Sequence, residues 1–151
     1  MNLTLLLHVL SVVVWVGGMF FAYMALRPVA ASVLEPPQRL TVWAGVFGQF
    51  FPGVWGSVVL ILGSGLHMLM KLGGMAAPHY ALTMLVLGVV MMLIYAHVFF
   101  APYKKLQRAV GQQDWKAGGA ALAQIRKLIG INLSLGLLTI VVVFVGRAML
   151  N

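Results

Sequence analysis

The sequence predicts an all-α integral membrane protein, an antiparallel four-helix bundle. Two observations predict it. The 151-residue chain is 62% hydrophobic and 8% charged with a mean hydropathy of +1.03, whereas soluble domains carry about 25% charged residues. Apolar runs long enough to cross a bilayer occur at roughly 3–26, 44–70, 79–101 and 128–148. Little remains outside them, so 1–151 reads as a single membrane domain with short antiparallel connections.

The first span, 3–26, lacks a basic leader and is about twice the length of a signal-peptide core, so it reads as retained. It is expected to stop at Arg27-Pro28, because proline disfavours helix in the residue before it. A link with a Pro36-Pro37 turn follows, and Trp43 opens the second span at interfacial depth. Pro52 is expected to kink that span. The third span starts at Pro78-His79, a favourable first-turn proline, and ends at Ala101-Pro102. The 102–127 segment reads as a basic loop holding an interfacial helix that leads into the last span.

The charges give the orientation. The 27–43 and 102–127 segments carry Arg27, Arg39, Lys104, Lys105, Arg108, Lys116, Arg126 and Lys127, while the opposite side has Lys71 and Arg147. The positive-inside rule puts both basic segments in the cytoplasm and both termini outside. The net charge of +8 is therefore a topology signal directed at lipid headgroups, not a nucleic-acid surface. With no cysteine, disulfides, thiolate metal sites and covalently attached c-type haem are excluded.

Helical phase gives expected inward faces. His8, Val12, Trp15, Met19 and Leu26 share a stripe of the first span. Gln49, Gly53, Gly56, Leu60, Gly63 and His67 fall within about 40° of one line on the second. That small-residue line would admit a neighbouring helix or a flat ligand. On the fourth span, Asn132, Gly136, Thr139, Val143 and Gly146 align, with Asn132 and Thr139 as internal hydrogen-bonding groups.

Intramembrane ionisable groups are costly and mark function. His8, His67 and His79 fall at similar depth near the outer side, whereas His97 lies about 20 Å or more away, near the basic end. Imidazole binds haem iron, copper and zinc. For haem b, His8 and His67 would be the axial pair. Gly56 and Gly63 would make room, Trp15 would pack on the macrocycle edge, and Lys71 would meet a propionate. For copper, His8 and His67, with His79 and His97 as lesser ligands, would be joined by the outer methionines Met68, Met70, Met75 and Met84. Thioethers select Cu(I). The spans hold no acids, which argues against a calcium or magnesium site and a carboxylate proton relay.

The pattern His8-x6-Trp15-x-Gly17-Gly18-Met19-Phe20, followed by Arg27-Pro28, resembles the CopD family of bacterial inner-membrane proteins. That resemblance implies copper resistance or uptake. The chain is also similar to the HemJ family, four-helix protoporphyrinogen oxidases that bind haem b. It shares with them the first-span histidine, the tryptophan-glycine segment, and Tyr95-Ala96-His97 followed by Tyr103-Lys104-Lys105. It departs from them at His79-Tyr80-Ala81, where a histidine-x-lysine is expected.

The expectation drawn from all of this is a haem b-binding membrane protein with a redox role, a haem-dependent oxidoreductase acting on a quinone or tetrapyrrole. The alternative is a copper-handling membrane protein using the same histidines, and a third reading is a non-catalytic scaffold. A homodimer through the glycine face is compatible with each.

Overall fold

The computed structural model describes residues 2–150, with side chains from Leu3 onward. Among the described residues there are helices and short links and no strand. The helices are α1 (Asn2–Phe21), α2 (Arg27–Val33), α3 (Pro36–Lys71), α4 (His79–Phe100), α5 (Pro102–Gly111) and α6 (Trp115–Leu150). Four continuous helical stretches are long and apolar enough to cross a membrane: Leu3–Val33, Pro36–Lys71, His79–Gly111 and Trp115–Leu150. The all-α four-helix architecture is thus as expected from hydropathy.

The boundaries differ from expectation where proline was read as a stop. α1 does not end at Pro28. It continues into α2 through a π-helical turn, Ala22–Leu26, in which the Arg27 N–H bonds to the Ala22 carbonyl five residues back. Widening the turn makes room for a proline ring that has no N–H and would otherwise clash with the carbonyl four residues before it. The chain breaks instead at Leu34, in extended backbone.

α3 begins eight residues earlier than the expected 44, because Pro36-Pro37 is a helix start and not a turn. Glu35 accepts from the Gln38 backbone N–H, and the Gln38 side chain accepts from the Glu35 N–H at 3.3 Å, a reciprocal cap. The helix runs through Pro52 without interruption. The reversal into α4 needs positive φ at Gly73 (108°) and Gly74 (63°), a region where side chains are strained.

α4 starts at His79 as expected, and Ala101 turns the chain into α5. α5 is amphipathic: Tyr103, Leu106 and Ala109 are buried, while Lys104, Lys105 and Arg108 are exposed. The rest of the expected basic loop belongs to α6, which starts at Trp115. At 1.5 Å per residue a 36-residue helix is about 54 Å long, well beyond the roughly 30 Å of hydrocarbon. α3 and α6 therefore project past the bilayer.

α1 packs chiefly on α3, and α4 and α5 on α6. The core is aromatic. Trp43, Phe47, Phe51 and Trp55 succeed each other at four-residue spacing on α3 and meet Tyr95, Phe99 and Tyr103, spaced the same way across α4 and α5. The Tyr95 hydroxyl donates to the Phe51 carbonyl at 3.1 Å. Asn132, 3% exposed, donates from Nδ2 to the Met91 carbonyl at 3.1 Å, joining α6 to α4 as expected. Thr139 instead bonds the Leu135 carbonyl of its own helix.

The inward face of α3 is the main correction. Gln49, Gly53, Gly56, Leu60, Gly63 and His67 are all exposed, and the buried line is Phe47, Phe51, Val54, Val58 and Ser64. At 100° per residue Phe47, Phe51, Val54 and Val58 lie roughly opposite the glycine line, and Ser64 flanks it. Close packing through glycine occurs elsewhere. A side chain at Gly18 would collide with the Phe50 ring, at Gly130 with Tyr23, and at Gly146 with Tyr80.

Candidate metal-handling site

His8 is the one histidine inside the bundle, 8% exposed, and α3 is the helix it faces. Its Nδ1 lies 3.0 Å from Ser64 Oγ. Gly65 supplies the space: a Cβ there would sit 3.3 Å from the ring's Cε1. Ser57 and Ser11 are also buried, so four polar side chains lie along the interior of α1 and α3.

Ser64 Oγ also donates to the Leu60 carbonyl, the usual back-bond of a helical serine. A hydroxyl has one proton, so with that bond made the same oxygen accepts from His8. The tautomer that pairs both groups has the hydrogen on Nδ1 and the lone pair on Nε2. An imidazole whose other N–H is held by a protein acceptor is oriented as a metal ligand.

The other expected site residues are distributed as follows. His67 lies three residues beyond Ser64 but is exposed, as are Gly56, Gly63 and Lys71. Nothing lies within 4 Å of a Cβ placed on Gly56 or Gly63. Trp15, 3% exposed, packs edge-on against Tyr95 with centroids 6.1 Å apart. It is about two turns from His8 along α1. His79 is exposed at the start of α4 and His97 is exposed near its far end.

These positions do not form a porphyrin slot within the chain. A bis-histidine haem needs two rings facing one cavity, and here one ring is interior while the other is on the outward face of α3. The interior of α3 is already filled by Phe47, Phe51 and Val54.

For copper the donors present are imidazole and thioether. Among the described residues no three His, Cys, Asp or Glu side chains gather into a metal-sized group. The thioethers of the hairpin lie on the surface. Met70 and Met75 are 73% and 84% exposed, on the α3–α4 hairpin between His67 and His79.

Residues 44–145 match the family model for copper resistance protein D. The chain belongs to that family. It is accordingly a multi-pass membrane protein of a copper-associated family. The match starts within α3 and so does not rest on the first-span motif that carried the sequence resemblance. It favours the copper reading over the haem b reading, and the similarity to HemJ gains nothing from it. No curated protein and no solved structure matches the chain.

Sequence reasoning missed Ser64 and the aromatic face of α3. Both had a signal: Ser57 and Ser64 are seven residues apart, two turns on one side of a helix. The aromatics at 43, 47, 51 and 55 form a line as regular as the glycines.

Proposed function

We propose that this chain handles Cu(I) as cargo in the membrane, receiving it at the α3–α4 hairpin and binding it at His8. Exposed His67, Met70, Met75 and His79 offer soft donors at that hairpin, and His8 Nε2 offers a desolvated one inside. The observation that carries the reading is the Ser64 contact: it presents a neutral, oriented imidazole lone pair in a chain of the CopD family.

The membrane side follows from charge. Arg27 and Arg39, α5 and the first part of α6 put most of the cations at the end away from the hairpin. The positive-inside rule then supports a cytoplasmic basic end and periplasmic termini and hairpin, in a bacterial inner membrane. Copper would therefore be met from the periplasm.

The test is cellular copper in a strain expressing the wild-type chain or His8→Ala at equal membrane abundance. Wild type is expected to change copper content or copper tolerance relative to an empty vector, and His8→Ala to behave as the vector. Equal copper and equal tolerance in all three strains would overturn the reading.

A further inference from the structure

At the basic end a second site stands apart from the histidine. A cavity of about 210 Å³ opens between the π-helical turn, α2, the start of α3 and the first part of α6. Three guanidinium groups line it, those of Arg27, Arg39 and Arg126, together with Tyr23, Trp43 and Trp115. Two of the three arginines are held in place by the chain. Arg27 Nε donates to the Tyr23 carbonyl at 3.1 Å, and its guanidinium carbon lies 4.4 Å over the Tyr23 ring. Arg39 Nη2 donates to the carbonyls of Ala31 and Leu34 at 3.2 and 3.0 Å.

Two things are missing from this arrangement. Arg39 Nε is buried and has no hydrogen-bond partner among the described residues, where a buried charged donor is normally paired. Among the described residues the three cations also make no ion pair with an acid, although Glu35 lies one turn before Arg39. The chain has two acids. Glu35, adjacent to the lining residue Pro36, accepts from the α3 backbone, and Asp114 accepts from the Ala117 N–H at 3.2 Å. Three like charges around one partly desolvated cavity repel each other unless an anion sits between them.

The cavity is smaller than the roughly 300–1,000 Å³ of sites for whole drug-sized ligands, so it fits a headgroup-sized anion. The tryptophans and the apolar floor of Leu40 and Ile129 suit a group attached to an apolar body. Basic pockets between transmembrane helices on the cytoplasmic side bind anionic headgroups by this chemistry. We infer that Arg27, Arg39 and Arg126 form a binding site for a phosphate ester, carried either by an anionic phospholipid or by a soluble molecule. This site is independent of copper.

Native mass spectrometry of the full-length purified chain tests it with three probes: phosphatidylglycerol, phosphatidylcholine and glycerol 3-phosphate. Wild type is expected to retain phosphatidylglycerol about tenfold or more tightly than phosphatidylcholine. Arg126→Gln, which removes no hydrogen bond within the chain, is expected to erase most of that preference, and Arg27→Gln with Arg126→Gln to erase it. Lys105→Gln with Arg108→Gln, on the exposed face of α5, should keep it. Tight glycerol 3-phosphate with no lipid preference, lost in the same arginine variants, would support the site and assign it a soluble ligand. Equal retention of both lipids and no binding of glycerol 3-phosphate by wild type would overturn the inference. An equal loss in the α5 variant would overturn it too. The wild-type comparison needs no variant to fold.

Discussion

Replacing Ser64 by alanine isolates the contact on which the copper site rests. The substitution removes one oxygen, 3.0 Å from His8 Nδ1, in a side chain 9% exposed. The Leu60 carbonyl keeps its helical backbone bond, so nothing is lost on α3 itself. The cost falls on His8, which loses its serine partner at 8% exposure and keeps the Ile61 carbonyl beside it. Loss of a ligand's outer hydrogen-bond partner lowers metal affinity by roughly 10–100-fold. Competition against a chromophoric Cu(I) chelator should therefore show Ser64→Ala weakened by about 10–100-fold, with Ser64→Thr, which keeps the hydroxyl, close to wild type. Affinity within about twofold of wild type in Ser64→Ala, or equal losses in the alanine and threonine variants, would refute the reasoning.

Other outcomes follow from the packing. Gly146→Ala drives a Cβ to 2.5 Å from Tyr80 Cβ and should lower the thermal midpoint in detergent, with an overpacking cost of about 1–3 kcal/mol. Gly63→Ala, with open space around it, should leave the midpoint unchanged or raise it slightly. Tyr95→Phe removes the bond to the Phe51 carbonyl and should destabilise by about 1 kcal/mol, measured by denaturant unfolding in mixed micelles. Because the chain has no cysteine, Met75→Cys and Lys105→Cys can each be labelled alone. An impermeant maleimide added to intact spheroplasts should modify the first and not the second.

Hydropathy made the helices legible, since a run of apolar residues has few other uses. It could not choose the face of α3. In lipid an outward glycine line carries no hydrophobic penalty, so both the glycine and the aromatic lines satisfy the bilayer. Packing volume decided between them: Phe47, Phe51 and Trp55 fill the space facing α4 and α5, and the glycines turn outward. His67 is exposed, and the side chain that meets His8 is Ser64, one turn before it. The helix ends were misjudged for a different reason. In the sequence Pro28 and Pro36 read as breaks, whereas a π-helical turn absorbs one and the first turn of α3 accommodates the other. The arginine cavity depends on residues from four separate segments, and no local spacing in the sequence marks it.

The most direct measurement is X-ray absorption at the copper edge on the purified chain loaded with one equivalent of Cu(I), compared with His8→Ala treated identically. Wild type is expected to show an imidazole nitrogen shell, and the variant to lose it. An unchanged nitrogen shell in His8→Ala, or a wild-type chain that retains no copper against a weak chelator, would contradict the assignment of His8 as the buried ligand.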